Sequence, residues 1–367
     1  MLTKRIVVDV PPTTFERLKR LKEDDGYKAR TWGDWLTFKS KDISPKASAE
    51  ERASGRGLMG LWCTNFAHNL TDILEGDSIS KLVPEHPEIV PKGPSIVVGS
   101  GPSIHMHKHL DLLQSAIDHK EYHGLICACD SMLIPLLERG IIPDLTATVD
   151  GQTIITKWYD HPLVEKYGSQ IKTCLVNSVN PDVVKICKKN KVQIYWFDGM
   201  MDGLQSSESW TRLQNLMTVS HQNPNGIPAV SCGGNVGCTI WVLNHTLLRR
   251  SPIALIGIDL GYPDGTKFQD TPYFSMWIRH CDSYTASQMY KKTYNPCFKT
   301  YAYADKVFQT YRAGWLTLAR KVPAWFETFN CSEEGTLFGP GITCMPFHEW
   351  LEKVKNLKMP NIVEGQV

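Results

Sequence analysis

Short apolar runs alternate with helical spacing through the middle of this chain. The β-branched run Ile96-Val97-Val98 within 95–98 reads as a buried strand, and 124–128, 145–149, 173–176, 193–197 and 253–258 are further candidate strands. Between several of them apolar positions recur at helical spacing, over about 106–119, 131–139, 181–189 and 235–247. Strands alternating with helices predict an α/β fold with a doubly wound, mostly parallel sheet. Upstream, Leu58, Leu61, Trp62, Phe66, Leu70 and Ile73 place a helix over 58–74. Downstream, 263–300 shows no clear period and reads as a long loop or lid. A helix over about 305–322, a strand-like 325–329 and a helix near 347–354 then form a helical C-terminal segment.

The first 57 residues read differently. A strand over 5–10 is stopped by Pro11-Pro12 and followed by helical spacing at Phe15, Leu18 and Leu21. Thr31 to Leu36 open a second helix, which makes a small βαα extension. This order resembles a ribbon-helix-helix half-unit. Its strand offers Arg5 and Asp9 on one face, a poor set for reading bases, so docking or dimerisation is the expected role. The polar, small-residue stretch 41–57 reads as a linker or an exposed turn of helix. The expected organisation is therefore an extension and linker over 1–57, a nucleotide-binding domain over 58–265, and a lid with the C-terminal segment over 266–367.

Composition narrows the class. Hydrophobic residues make up 42% and charged residues 21% of the 367, and the formal net charge is +2. Nothing there pulls the chain towards nucleic acid or an anionic membrane. No run approaches the length of a membrane span, and the early apolar run 6–10 is too short and too acidic for a signal segment. The eleven cysteines are scattered, with no Cys-x-x-Cys pair, and read as reduced thiols of a cytoplasmic protein. Cys127 and Cys129 are expected on one face of their strand.

The chemistry gathers where strands end. Gly99-Ser100-Gly101-Pro102-Ser103 turns the chain sharply after its strand, and a helical pattern follows. A strand, a glycine turn and a helix start leave backbone N–H groups for an anion, and phosphates sit at such turns in open α/β sheets. Asp130-Ser131, Asp150 and Asp259 follow three other strands, the last within Ile258-Asp259-Leu260-Gly261-Tyr262. A lone strand-end aspartate ordinarily caps the next helix. Four polar strand ends in one sheet point instead to one crevice, where a carboxylate binds ribose, holds magnesium or acts as a base. Gly233-Gly234-Asn235 opens the helix over 235–247 and forms a second glycine turn, read either as an anion site or as close packing. His105, His107 and His109 alternate beside the first turn and are expected at the surface rather than on a metal.

Taken together, these blocks resemble the MptE-like family, named for an archaeal 6-hydroxymethylpterin diphosphokinase. The family also includes the central domain of motility-associated-factor flagellin glycosyltransferases. The resemblance rests on Val97 to Ser103, Leu133 to Asp144 leading to Thr148-Val149-Asp150, Gly233 to Val236, and Ala254 to Tyr262, in that order. A fainter likeness to the glycosyltransferase branch runs through Phe329 to Gly335, and the first glycine turn is similar to that of bacterial sialyltransferases.

The resemblance implies a Rossmann-like, nucleotide-dependent transferase. In one branch a CMP-activated nonulosonic acid is the donor and a small molecule or glycan the acceptor. In the other, ATP with Mg2+ passes a diphosphate to a pterin alcohol, and Asp150 and Asp259 hold the metal. On either reading Asp150 and Asp259 are the catalytic residues. Gly99, Ser100, Gly101, Pro102, Ser103, Asp130, Ser131, Gly233, Gly234, Asn235 and Tyr262 line the nucleotide. His280 is a weak candidate base, and the N-terminal module offers a route to a homo-oligomer. A non-catalytic nucleotide-binding protein is the third alternative.

Overall fold

A computed structural model describes residues 49–202, 209–279 and 281–357, with side chains from Leu58 onward. The expectations for the N-terminal strand and helices, and for His280, lie outside the described residues. Two compact units divide the chain, Met1–Gly57 and Leu58–Val367, and the second holds both sheets.

The main sheet has nine strands. They are β1 (Ser95–Val98), β2 (Leu125–Cys129), β3 (Leu145–Thr148), β4 (Lys172–Val176), β5 (Gln193–Gly199), β6 (Ala229–Val230), β7 (Ile253–Ile256), β11 (Thr328–Asn330) and β12 (Thr343–Cys344). Their order is β12-β11-β7-β1-β2-β3-β4-β5-β6, and every pairing is parallel. The chain builds outward from β1 to β6, then crosses back to place β7 on the other side of β1. The order therefore reverses between β1 and β7, and this is the doubly wound Rossmann-like arrangement.

Strand alternation feeds two cores. Ile96 and Val98 point to one face, beside Leu110, Leu113 and Trp350 from the helices His109–Asp118 and Phe347–Lys355. Val97 points to the other, where Trp241 of the helix Val236–Thr246 and Val183 of the helix Pro181–Lys189 are buried. Cys127 and Cys129 share that second face and are buried, as their spacing requires.

Several elements differ from expectation. The helix expected from Leu58 runs Ala49–Glu75, because Ala, Glu and Arg in 49–56 favour helix where a linker was an alternative. The helix expected over 106–119 is broken in two at Lys108, whose φ of 53° is left-handed. The strand expected to reach 258 stops at Ile256, because Gly257 turns the chain with φ 65°. The supposed lid carries structure. β9 (Lys291–Asn295) and β10 (Thr300–Ala304) form a hairpin that pairs with β8 (Tyr262–Pro263) in an antiparallel cap sheet. The helix Lys306–Ala319 follows, capped by the Asp305 carboxylate at Phe308 N–H.

Candidate functional site

The carboxyl ends of β1 and β7 meet at the reversal point, and the first glycine turn is stitched to the β7 loop. Gly99 N–H donates to Ile256 O at 2.8 Å, and Gly101 N–H to Gly257 O at 2.8 Å. Asp259 accepts from Ser103 N–H at 2.9 Å and from Ser103 Oγ at 2.5 Å. The sequence predicts uncovered N–H groups at this turn; the structure corrects that, since the β7 loop takes three of them. The glycines have the same cause. A Cβ on Gly101 would stand 2.6 Å from Asp259 Cγ, and one on Gly99 would stand 2.5 Å from Gly257 O. Ser100 remains exposed at the tip, and Gly101 and Pro102 are half-buried.

The other strand ends extend this edge. Asp130, after β2, is buried and accepts from Ser131 N–H at 2.7 Å and from the Thr148 hydroxyl of β3. Burial pushes its carboxyl up to about 6, against the pull of those two donors. Asp259 is likewise pushed up to about 6 by burial, with Ser103 pulling the other way. Asp150, after β3, is half-buried and accepts one N–H, from Gln152 at 2.9 Å. Its loop is held from below, because Asn65 donates to Gly151 O and Ser178 O, and Asn69 to Asn177 O and Val179 O.

The second glycine turn closes in from the helix face. Gly233 and Gly234 have φ of 54° and 88°, which only glycine adopts freely. Asn235 Oδ1 caps the helix at Cys238 N–H, 2.9 Å away. A Cβ on Gly237 would lie 2.7 Å from Ile258 Cδ1 and 3.8 Å from Cys129 Sγ, so this helix starts against the ends of β7 and β2. Tyr311 from the cap helix lies on Gly234, where a Cβ would meet its ring at 2.4 Å. Burial, together with neighbouring groups that include Asp150, pushes the hydroxyls of Tyr273 and Tyr311 up. Asp130, Asp150 and the joined pair of Ser103 and Asp259 thus follow strands of one sheet at its carboxyl edge, and the turn at Gly233 to Asn235 carries Tyr311 packed on Gly234. Tyr262 is turned away into the cap, donating to Asp305 at 2.8 Å.

Other charged groups at this edge escaped the sequence reading. Asp198 ends β5, fully buried, and accepts from Asn177 Nδ2 at 3.1 Å; burial pushes it up to about 7. Its setting, an aspartate followed by glycine at the end of an apolar run, carried the same signal as Asp130 and Asp259. His105 is exposed as expected and His107 is half-buried, but the surface expectation is corrected for His109. The break at Lys108 stacks His107 and His109 with ring centroids 5.6 Å apart, and His109 is completely buried. Glu333 lies 3.4 Å from His109 Nε2, and Glu334 lies 3.7 Å from His107 Nε2. No group of three or more metal-ligating side chains is present among the described residues.

The strands β1 to β7, the two glycine turns and the strand-end aspartates fall within the segment that the family model describes, while β11 and β12 lie beyond it. That model, 6-hydroxymethylpterin diphosphokinase MptE-like, matches residues 64–265. The chain belongs to the MptE-like family. The Maf glycosyltransferase from Magnetospirillum magneticum AMB-1 has a similar fold, with a TM-score of 0.50 and 15% identity over 79% of this chain. The chain spans 39% of that protein. No curated protein sequence matches it significantly.

Proposed function

We propose that this MptE-like chain is a nucleotide-dependent transferase, and that it moves a nonulosonic-acid-type sugar from a CMP-activated donor to an acceptor hydroxyl. The observation that carries this reading is the carboxyl edge of the sheet. There the first glycine turn is bonded to the β7 loop at the β1–β7 reversal, the place where open α/β sheets take nucleotides, and the half-exposed Asp150 follows β3 two strands away. The Maf protein that shares this fold is a glycosyltransferase. Asp130 and Asp259 spend both oxygens on protein donors. Asp150 spends one and is half-exposed. Asp150 is therefore the carboxylate placed to take the acceptor's proton. The acceptor oxygen then bonds to the anomeric carbon, and the bond from that carbon to the CMP phosphate breaks. The first N–H groups of the helix Val236–Thr246 have no intrahelical acceptor and stabilise the departing phosphate.

The family description favours a second reading, diphosphate transfer from ATP to a pterin alcohol. Asp150 and Asp259 follow β3 and β7, three strand spacings apart in the sheet. At the ordinary spacing that is about 14 Å. They do not fit one shared magnesium ion, so no step is drawn through it.

Two assays separate the readings. CMP release from CMP-N-acetylneuraminic acid, lost in Asp150→Ala, supports sugar transfer. AMP release from ATP with magnesium and 6-hydroxymethyl-7,8-dihydropterin supports the second reading. Nucleotide binding with neither turnover leaves a binding protein.

A further inference from the structure

We propose that Asp198 is held as a neutral carboxylic acid in a two-bond pair with Asn177, and that its proton steadies the loops that carry Asp150. Val176 of β4 pairs with Phe197 of β5, and Asn177 N–H donates to Phe197 O at 2.8 Å. The next residue on each strand, Asn177 and Asp198, therefore stand side by side on one face of the sheet. Both are completely buried. One bond between the two heads is in place, from Asn177 Nδ2 to Asp198 Oδ1 at 3.1 Å. The other atom of each, Asn177 Oδ1 and Asp198 Oδ2, is buried with no hydrogen-bond partner among the described residues. Both atoms are acceptors while Asp198 is ionised, and buried acceptors without a donor are costly. A proton on Asp198 Oδ2 makes that atom a donor to Asn177 Oδ1 and satisfies both at once.

The surroundings keep that proton in place. The ionisable groups that bear on Asp198 among the described residues are Asp202, in the loop after β5, and Cys232, in the turn after β6. Neither offers a positive charge. Asp202 stays a carboxylate, accepting from Ser209 Oγ at 2.7 Å and Trp210 N–H at 2.6 Å. Burial pushes the Asp198 carboxyl up to about 7 against the pull of Asn177, and Asp202 adds to the rise. The pair is thus formed in acid and is lost as pH rises through about 7, when solvent takes the proton and two acceptors face each other. The effect reaches Asp150 through side-chain amides. Asn177 O accepts from Asn69 Nδ2 at 3.1 Å, and Ser178 O from Asn65 Nδ2 at 3.0 Å. The same Asn65 amide holds Gly151 O at 2.9 Å, and Asn180 Nδ2 donates to Thr153 Oγ1 at 3.2 Å. The loop that starts at Asn177 and the loop that starts at Asp150 are therefore fastened together. This inference rests on the fold and stands whether or not the proposed transfer occurs.

Carbon NMR of the full chain, labelled at its aspartate carboxyl carbons, reads the charge directly, and Asp198→Asn assigns the signal by removing it. The expected result is a protonated Asp198 near pH 5 that ionises as pH rises through about 7. Hydrogen exchange reads the loops. In the parent, protection of the amides over 151–153 and 177–180 is expected to fall several-fold from about pH 6 to about pH 8, after correction for the chemical exchange rate. In Asp198→Asn the new amide supplies the same donor without titrating, so protection is expected to stay level. The proposal is overturned if Asp198 is already ionised near pH 5, which leaves an internal water between the two acceptors. It is equally overturned if the parent and Asp198→Asn lose protection alike, or if neither loses it.

Discussion

Burial sets the acidity of three aspartates at the strand ends. Asp198 is pushed from an ordinary 3.8 up to about 7, and Asp130 and Asp259 to about 6. A carboxyl raised in this way holds its proton more tightly in the folded than in the unfolded chain. Its contribution favours folding at low pH and is lost as pH rises from about 4 to about 7. Asp198→Asn removes the charge while keeping the shape. The variant is expected to exceed the parent in stability at pH 8 by roughly 1–3 kcal/mol, an advantage that vanishes near pH 4. Urea unfolding across that range checks it, and a variant uniformly weaker at every pH contradicts it. At Gly101 the constraint is steric. Valine there drives a Cβ into the Asp259 carboxyl and Gly257 O. The expected cost is about 1–3 kcal/mol, read by the same unfolding measurement.

Among the elements, the loop after β11 braces the reversal point. Thr336 N–H donates to Asp259 O at 2.7 Å, and Ile258 N–H donates to Ser332 Oγ at 3.0 Å. Glu333 fastens that loop by accepting from Phe347 N–H at 3.1 Å and facing His109. Burial pushes its carboxyl up, but His109 and the Phe347 N–H outweigh burial and hold it below the usual range. That stability is present at neutral pH and is lost as pH falls through its lowered value. Glu333→Gln is therefore expected to cost about 1–2 kcal/mol at pH 7 and almost nothing in strong acid. A second element invites the opposite test. The helix Trp210–Met217 buries Thr211 and Gln214 and exposes Leu213, Leu216 and Met217. Leu216→Ser is expected to change stability by less than about 0.5 kcal/mol.

Much of this element scale was legible beforehand. Short continuous apolar runs and turn residues located β1 to β5 and β7, because parallel strands covered on both faces need apolar residues at successive positions. The cap hairpin was not legible. Tyr294 and Tyr301 pair across the hairpin and Tyr303 lies opposite Lys292, so polar and aromatic residues make up its strands and no apolar run marked them. The stacked histidines were hidden by a single left-handed residue, Lys108, which no periodicity announces.

At the scale of the whole molecule, one parallel sheet brings together residues more than 150 positions apart, as Ser103 and Asp259 show. No helix among the described residues is long and apolar enough to cross a membrane. The carboxyl edge of the sheet is the place proposed for a nucleotide. The direct test is thermal unfolding of the full chain with CMP, CMP-N-acetylneuraminic acid, ATP and GTP, each with and without magnesium. At 100 times its dissociation constant a ligand of this site adds about 2.7 kcal/mol of stability. The account predicts that the CMP compounds raise the unfolding temperature without needing magnesium, and that Gly101→Val abolishes the rise. Stabilisation by none of the four contradicts it.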